Sequence, residues 1–153
     1  MLATCGIDYY LLILNYKGIN VELKIWDTEW LNSRLFNLQK RIYENADIVF
    51  LFYDSSSKET FNTIINKTYY FEDYCKKNTI FALIRNKYDN KYREEVSDEI
   101  ALEFADKNNM LFFHLSLHEK NETGVKELFE NVLNEYFKRK IKEKEKKEYE
   151  LYY

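Results

Sequence analysis

The apolar positions of this chain change period along its length, and each change predicts an element. Tyr9 to Asn15 is a run of β-forming residues, and Val21, Leu23 and Ile25 fall on one face at period two. Tyr16-Lys17-Gly18-Ile19-Asn20 between them is turn chemistry, so the two runs predict an antiparallel hairpin. A polar stretch follows, then a helix-like segment from about Arg34 to Glu44. Asp47 to Asp54 holds the unbroken apolar run Ile48-Val49-Phe50-Leu51-Phe52-Tyr53, which suits a parallel strand covered on both faces. Ser56-Ser57-Lys58-Glu59 reads as a capping box, Ser56 and Glu59 satisfying each other's backbone donors, at the head of a helix reaching about Lys76. Thr79 to Ile84 predicts another buried strand, and Ser97 is placed to cap a helix with Ile100, Ala101, Phe104 and Ala105 on one face. Met110 to Ser116 is the last predicted strand. A final helix starting near Thr123 buries Leu128, Phe129, Val132, Leu133, Tyr136 and Phe137.

Alternating strands and helices imply an α/β fold with a mostly parallel sheet. Ligands of such sheets sit outside the carboxyl ends of the strands. That singles out Asp27, Asp54, the run Asn86 to Asp89, and Ser116. The stretch from Lys138 to Glu148 mixes both signs of charge with almost no apolar face, so residues 139–153 predict a solvated helix extension or tail.

Composition narrows the function classes. The 153 residues suffice for one domain with a real core. The net charge of -3 gives no footprint for a nucleic-acid partner. The 14 Tyr and 11 Phe therefore read as core filler and not as a base-stacking platform. Cys5 and Cys75 have no metal-ligand spacing and read as reduced thiols of a cytoplasmic protein. No signal peptide, membrane span or prenylation motif is visible, so membrane association is expected only through a recruiting partner.

The chemistry concentrates in two places. Asn86-Lys87-Tyr88-Asp89 follows the buried strand Ile80-Phe81-Ala82-Leu83-Ile84. A carboxylate there can accept two parallel hydrogen bonds from guanine N1–H and its exocyclic amine, a pair adenine does not offer. An Asn side chain can bridge the base edge to neighbouring loops, and a Lys stem can lie over the ring. Trp26-Asp27-Thr28 closes the second hairpin strand, where an Asp can hold Mg²⁺ directly or through water.

Together these segments resemble the Ras superfamily, its Rab branch most closely. Ala3-Thr4-Cys5-Gly6-Ile7-Asp8-Tyr9 is similar to the Rab switch I signature, and Leu23 to Thr28 to the strand entering switch II. Ile42-Tyr43-Glu44-Asn45-Ala46-Asp47 with Leu51-Phe52-Tyr53-Asp54 resembles the segment after switch II. Leu115-Ser116-Leu117-His118 occupies the place of the second guanine loop, and Thr123 to Phe129 opens the last helix. The resemblance implies a Ras-like, P-loop NTPase-like sheet with helices on both faces, spanning residues 1–138. It implies GTP or GDP as ligand, with guanine held by Asn86, Lys87, Asp89, Ser116, Leu117 and His118. It implies Mg²⁺ on Thr4 and Asp27, effector or regulatory proteins on the switch and hairpin surface, and a role in vesicle trafficking. His114, beside Phe113, reads instead as a packed or edge histidine.

Departures from the family pattern shape the expected function. No G-x-x-x-x-G-K-[ST] occurs, and the residues expected before switch I (the first strand, the phosphate loop and the first helix) are missing. Asp27-Thr28-Glu29-Trp30-Leu31 stands where the family has Asp-Thr-Ala-Gly-Gln, so neither the glycine nor the water-orienting glutamine is in place; Asn32 and Gln39 lie at the wrong spacing. Ser116-Leu117-His118 replaces Ser-Ala-Lys. No catalytic residue is therefore expected. Base contacts alone amount to two or three charge-assisted bonds of about 1.5–3 kcal/mol each, which after association entropy leaves roughly millimolar binding.

Three readings follow. One is a Rab-like GTPase homologue crippled in phosphate binding. A second is a pseudo-GTPase that acts as a protein-interaction module. The third is a fragment of an active Rab GTPase whose Met1 is internal. In the family the first strand lies between the switch II strand and the Phe50-bearing strand. Without it those two must pair directly or leave an open seam, with edge-mediated self-association as a consequence.

Overall fold

The computed structural model describes residues 6–28, 36–86, 93–115 and 122–150. They divide between two compact units, Met1–Asn45 and Ala46–Tyr153, each described by itself.

The first unit is built on the hairpin of β1 (Ile7–Tyr16) and β2 (Ile19–Thr28). Pairing runs from Ile7 with Thr28 to Tyr16 with Ile19, leaving only Lys17 and Gly18 as the turn. The expected turn of Tyr16 to Asn20 is thus shorter than its composition suggested. Both turn residues take positive φ, 49° at Lys17 and 82° at Gly18, the geometry of a two-residue type I′ turn whose twist matches the strands. Asn15 reinforces it, its Oδ1 accepting from the Gly18 N–H at 3.3 Å and its Nδ2 donating to Asn20 Oδ1 at 3.2 Å. Along β2 Val21, Leu23 and Ile25, the predicted period-two face, are half-buried, as is Thr28 at its end. Helix α1 (Phe36–Asn45) completes the unit. Its Tyr43 hydroxyl lies 3.3 Å from Thr28 Oγ1 at the end of β2.

The second unit is a parallel sheet of β3 (Ile48–Asp54), β4 (Ile80–Asn86) and β5 (Leu111–His114), in the order β3-β4-β5. Side chains alternate between its faces. Ile80, Ala82 and Ile84 join Ile48, Phe50, Leu111 and Phe113 in packing on Leu128 and Val132 of α4 (Glu122–Glu150). On the opposite face Tyr53 meets Phe61 of α2 (Lys58–Tyr74), Phe81 meets Phe71, and Phe61 meets Phe104 of α3 (Asp98–Lys107). Helices on both faces around a parallel sheet are the architecture the sequence predicts, and the continuous apolar runs of β3 and β4 are its cause.

Three local expectations are corrected. Ser56 and Glu59 form no capping box: Ser57 is the N-cap of α2, without a side-chain cap bond. Ser56 is drawn back to Asp54, whose Oδ1 accepts from its N–H at 2.9 Å and its hydroxyl at 2.7 Å. The hydroxyl of Ser97, N-cap of α3, likewise makes no cap bond to its helix. Ile100 points outward at 53% exposure, because Ala101 and Ala105 supply the buried face of so short a helix.

Among the described residues β2 pairs only with β1, and β3 only with β4. The outer edge of β3 thus carries no described strand, and Phe52 on it is 46% exposed. Helix α4 runs unbroken through its charged half to Glu150. No helix among the described residues is long and apolar enough to cross a membrane.

Candidate functional site

The carboxyl ends of β3 and β4 carry the polar residues singled out by sequence. Asn86 is the last residue of β4, paired in register with Asp54, the last residue of β3. Its carbonyl accepts from the Ser55 N–H at 3.2 Å. Ser55 is itself buried, and its carbonyl accepts from the N–H groups of Glu95 (2.9 Å) and Val96 (3.3 Å). The chain entering the Asn86-to-Asp89 run and the chain returning from it are thus fastened to the same residue. Asp54 is occupied by its own turn, as described above, and its N–H donates to Thr60 Oγ1 at 3.0 Å.

Of the expected guanine-site residues only Asn86 lies within the described residues; Lys87, Asp89, Ser116, Leu117 and His118 lie outside them. Of the expected Mg²⁺ ligands Thr4 lies outside them too, while Asp27 sits one residue from the end of β2, exposed and directly across the ribbon from Asp8. Mg²⁺ takes one or two carboxylates together with water and phosphate oxygens, so the Asp27 carboxylate is chemically suited to it.

Sequence reasoning missed the charged cluster beneath Asn86. Arg85 is only 3% exposed, and its guanidinium forks between Glu94, at 3.1 Å, and Asp98, to which it hydrogen-bonds. Asp98 Oδ1 also meets His114 Nε2 at 2.8 Å, and the His114 ring stands edge-on to Phe112 with centroids 5.0 Å apart. Of the two expectations for His114, packed or edge, the structure shows the edge one: it is exposed at the end of β5. Burial works against the charges of Arg85 and Asp98, but their mutual hydrogen bond, with Glu94 on one side and His114 on the other, outweighs it. The Arg85 pKa is raised and the Asp98 pKa lowered. Tyr53, beside Arg85 in register, has its phenol pushed upward by burial, with the Arg85 charge acting the other way. The only forewarning in sequence was a charged residue inside an apolar strand. Cys75 is a half-buried free thiol whose pKa burial pushes up to about 11, which leaves it unreactive at neutral pH.

A parallel sheet with helices on both faces, and polar residues at the carboxyl ends of β3 and β4, is the frame on which α/β proteins bind ligands. The Ras family model matches residues 1–138, and the chain belongs to that family. Within it the chain is of the Rab type. It is 31% identical to the human Ras-related protein Rab-30 over 127 residues, 34% to Rab-18-B of Danio rerio over 132 and 35% to Rab-18 of Lymnaea stagnalis over 134. These alignments cover 83–86% of this chain and 61–63% of the relatives, so the chain spans about three-fifths of their length.

Proposed function

We propose that this chain is a Rab-like domain that recognises the guanine base of GDP or GTP through Asn86, Lys87 and Asp89, with Ser116, Leu117 and His118 forming the second guanine loop. The observation that carries the reading is the place of Asn86, the last residue of a strand buried from Ala82 to Arg85, its carbonyl fixed on Ser55. Mg²⁺, when bound, neutralises phosphate charge, and Thr4 and Asp27 are the residues that would hold it. The cellular role is that of Rab proteins in vesicle-mediated transport. It is exercised in the cytoplasm and at membranes through a recruiting partner. Titration with fluorescent GDP and ADP analogues tests the reading. The 153-residue chain binds the GDP analogue in the millimolar range, prefers it to ADP, and loses that preference in Asp89→Ala. Equal binding of the two nucleotides sinks it.

A second reading, a pseudo-GTPase serving as an interaction module, is favoured by Glu29-Trp30-Leu31 in switch II and by the surface of the hairpin. Tyr9, Leu11 and Ile13 share one face with Trp26, and all four are 46–63% exposed. Tyr9 and Trp26 pack with ring centroids 4.7 Å apart. An exposed aromatic and aliphatic strip of this kind suits an effector or regulatory protein. A pull-down partner that binds equally with GDP, with GTP and without nucleotide, and is lost in Trp26→Ala, supports this reading over the first.

A further inference from the structure

We propose that Arg85 is the positioning residue of the guanine site: its guanidinium ties the returning chain to the sheet and so fixes Asn86 from below. The inference rests on the guanine reading above and adds to it the device that holds the motif in place.

The position itself calls for explanation. Arg85 lies on the same face of β4 as Phe81 and Leu83, among apolar side chains, and is 3% exposed. A buried ion pair is poor value for stability, since apolar residues of similar volume generally do as well or better. What a guanidinium offers instead is geometry, a rigid planar fork able to engage two carboxylates at once. Here the two are Glu94 and Asp98, both on the segment that follows the guanine motif.

The result is a closed ring of contacts. Asn86 O accepts from Ser55 N–H, Ser55 O accepts from Glu95 N–H, and Glu94, the neighbour of Glu95, returns to Arg85, the neighbour of Asn86. Arg85 is the side-chain link in a ring whose other link is backbone hydrogen bonding. His114 adds a further contact to Asp98 and holds its carboxylate toward the fork. Because the ring joins the chain on either side of residues 87–92, it limits where Asn86 can sit relative to the returning segment. A lysine at 85 would keep the charge and lose the fork.

Amide hydrogen exchange and nucleotide preference, measured on the full chain, test this together. The variants are Arg85→Lys and Glu94→Gln, with Ile64→Val as a buried core control that is not a member of the ring. In Arg85→Lys and Glu94→Gln, exchange at the Ser55, Glu95 and Val96 amides accelerates about tenfold, as expected for loss of one charge-assisted hydrogen bond, while Leu83 and Ile84 hold their rates. The preference for the GDP analogue over the ADP analogue falls in the same two variants and survives in Ile64→Val. Exchange at Ser55, Glu95 and Val96 that moves only in step with Leu83 overturns the proposal. So does faster exchange with the GDP preference intact. A wild-type chain without GDP preference defeats the guanine reading, and the recognition role of Arg85 with it. The exchange data still decide independently whether Arg85 holds the ring.

Discussion

Glu95 caps a helix that begins 37 residues before it: its Oε2 accepts the backbone N–H of Lys58, in the first turn of α2, at 2.8 Å. The bond replaces the local cap expected from Ser56 and Glu59 and brings a negative charge to the positive end of the helix. Glu95→Ala is expected to lower stability by about 1 kcal/mol, the usual worth of an N-cap. Glu59→Gln should change it far less. Equal losses in the two variants, measured by urea unfolding, would restore the capping box.

The Arg85 cluster predicts an asymmetry between its partners. Glu94 and Asp98 are 33% and 44% exposed at their side chains, so water can take over either carboxylate, whereas Arg85 at 3% has no such recourse. Removing both acids, as Glu94→Gln with Asp98→Asn, strands a buried cation and should cost about 3–5 kcal/mol. Arg85→Met should cost clearly less. If Arg85→Met is the more damaging of the two in thermal unfolding, the burial argument is wrong.

Acid should release the same cluster. Burial favours the protonated form of Asp98, but the hydrogen bonds from Arg85 and His114 prevail and lower its pKa from the ordinary 3.8. A group depressed in the folded state contributes stability above its unfolded pKa and loses it as pH falls through the folded one. The contribution of Asp98 is therefore complete near neutrality and disappears below about pH 4. Denaturant midpoints followed from pH 7 to pH 2 should fall less steeply in Asp98→Asn than in wild type. Parallel curves would refute the assignment.

The outer edge of β3 predicts self-association. Ile48 to Tyr53 carries no charge or proline to discourage pairing, although β3 has a described strand partner on one side only. Light scattering should find oligomers, and Phe52→Lys should shift them toward monomer. A monomeric wild type with one cooperative transition and strong amide protection from Leu23 to Ile25 would count against the open edge.

Turnover of GTP by these 153 residues should not exceed buffer, since their sequence has neither a G-x-x-x-x-G-K-[ST] loop nor a switch II glutamine. Multiple-turnover phosphate release with Mg²⁺, abolished by Asp27→Ala, would show that the chain hydrolyses GTP by other residues.

What was legible in the sequence follows the range of the interactions. The face of Val21, Leu23 and Ile25 declares itself through period two and the buried run of β4 through its unbroken apolar stretch, whereas β3, expected to be covered on both faces, leaves Phe52 exposed because no described strand or helix covers it there. The hairpin turn was harder, because Lys17 adopts a positive φ that lysine seldom takes and its composition did not signal it. Ile100 was misplaced because a helical stripe does not say how much of its width the sheet will cover. The Glu95 cap and the fork of Arg85 onto Glu94 and Asp98 were invisible. Each joins residues from separate elements, and no local pattern records which elements become neighbours. The place of Asn86 at the end of β4 was legible because the apolar run before it, which a buried strand requires, stops there.

Helix α4 is held at two distant points. Leu128 and Val132 sit in the core, while Glu143, more than two turns beyond Val132, hydrogen-bonds Asn78 in the turn before β4. Each residue of an α-helix advances the chain by about 1.5 Å and rotates it by about 100°. Deleting a single residue between Phe137 and Lys142 would therefore swing Glu143 roughly a quarter turn away from Asn78 while leaving Leu128, Val132 and Tyr136 in the core. Between Lys138 and Lys142 the helix is expected to accept exchange of one charged residue for another but not a change in their number. Length, and not composition, is the property that the charged half of α4 has to keep.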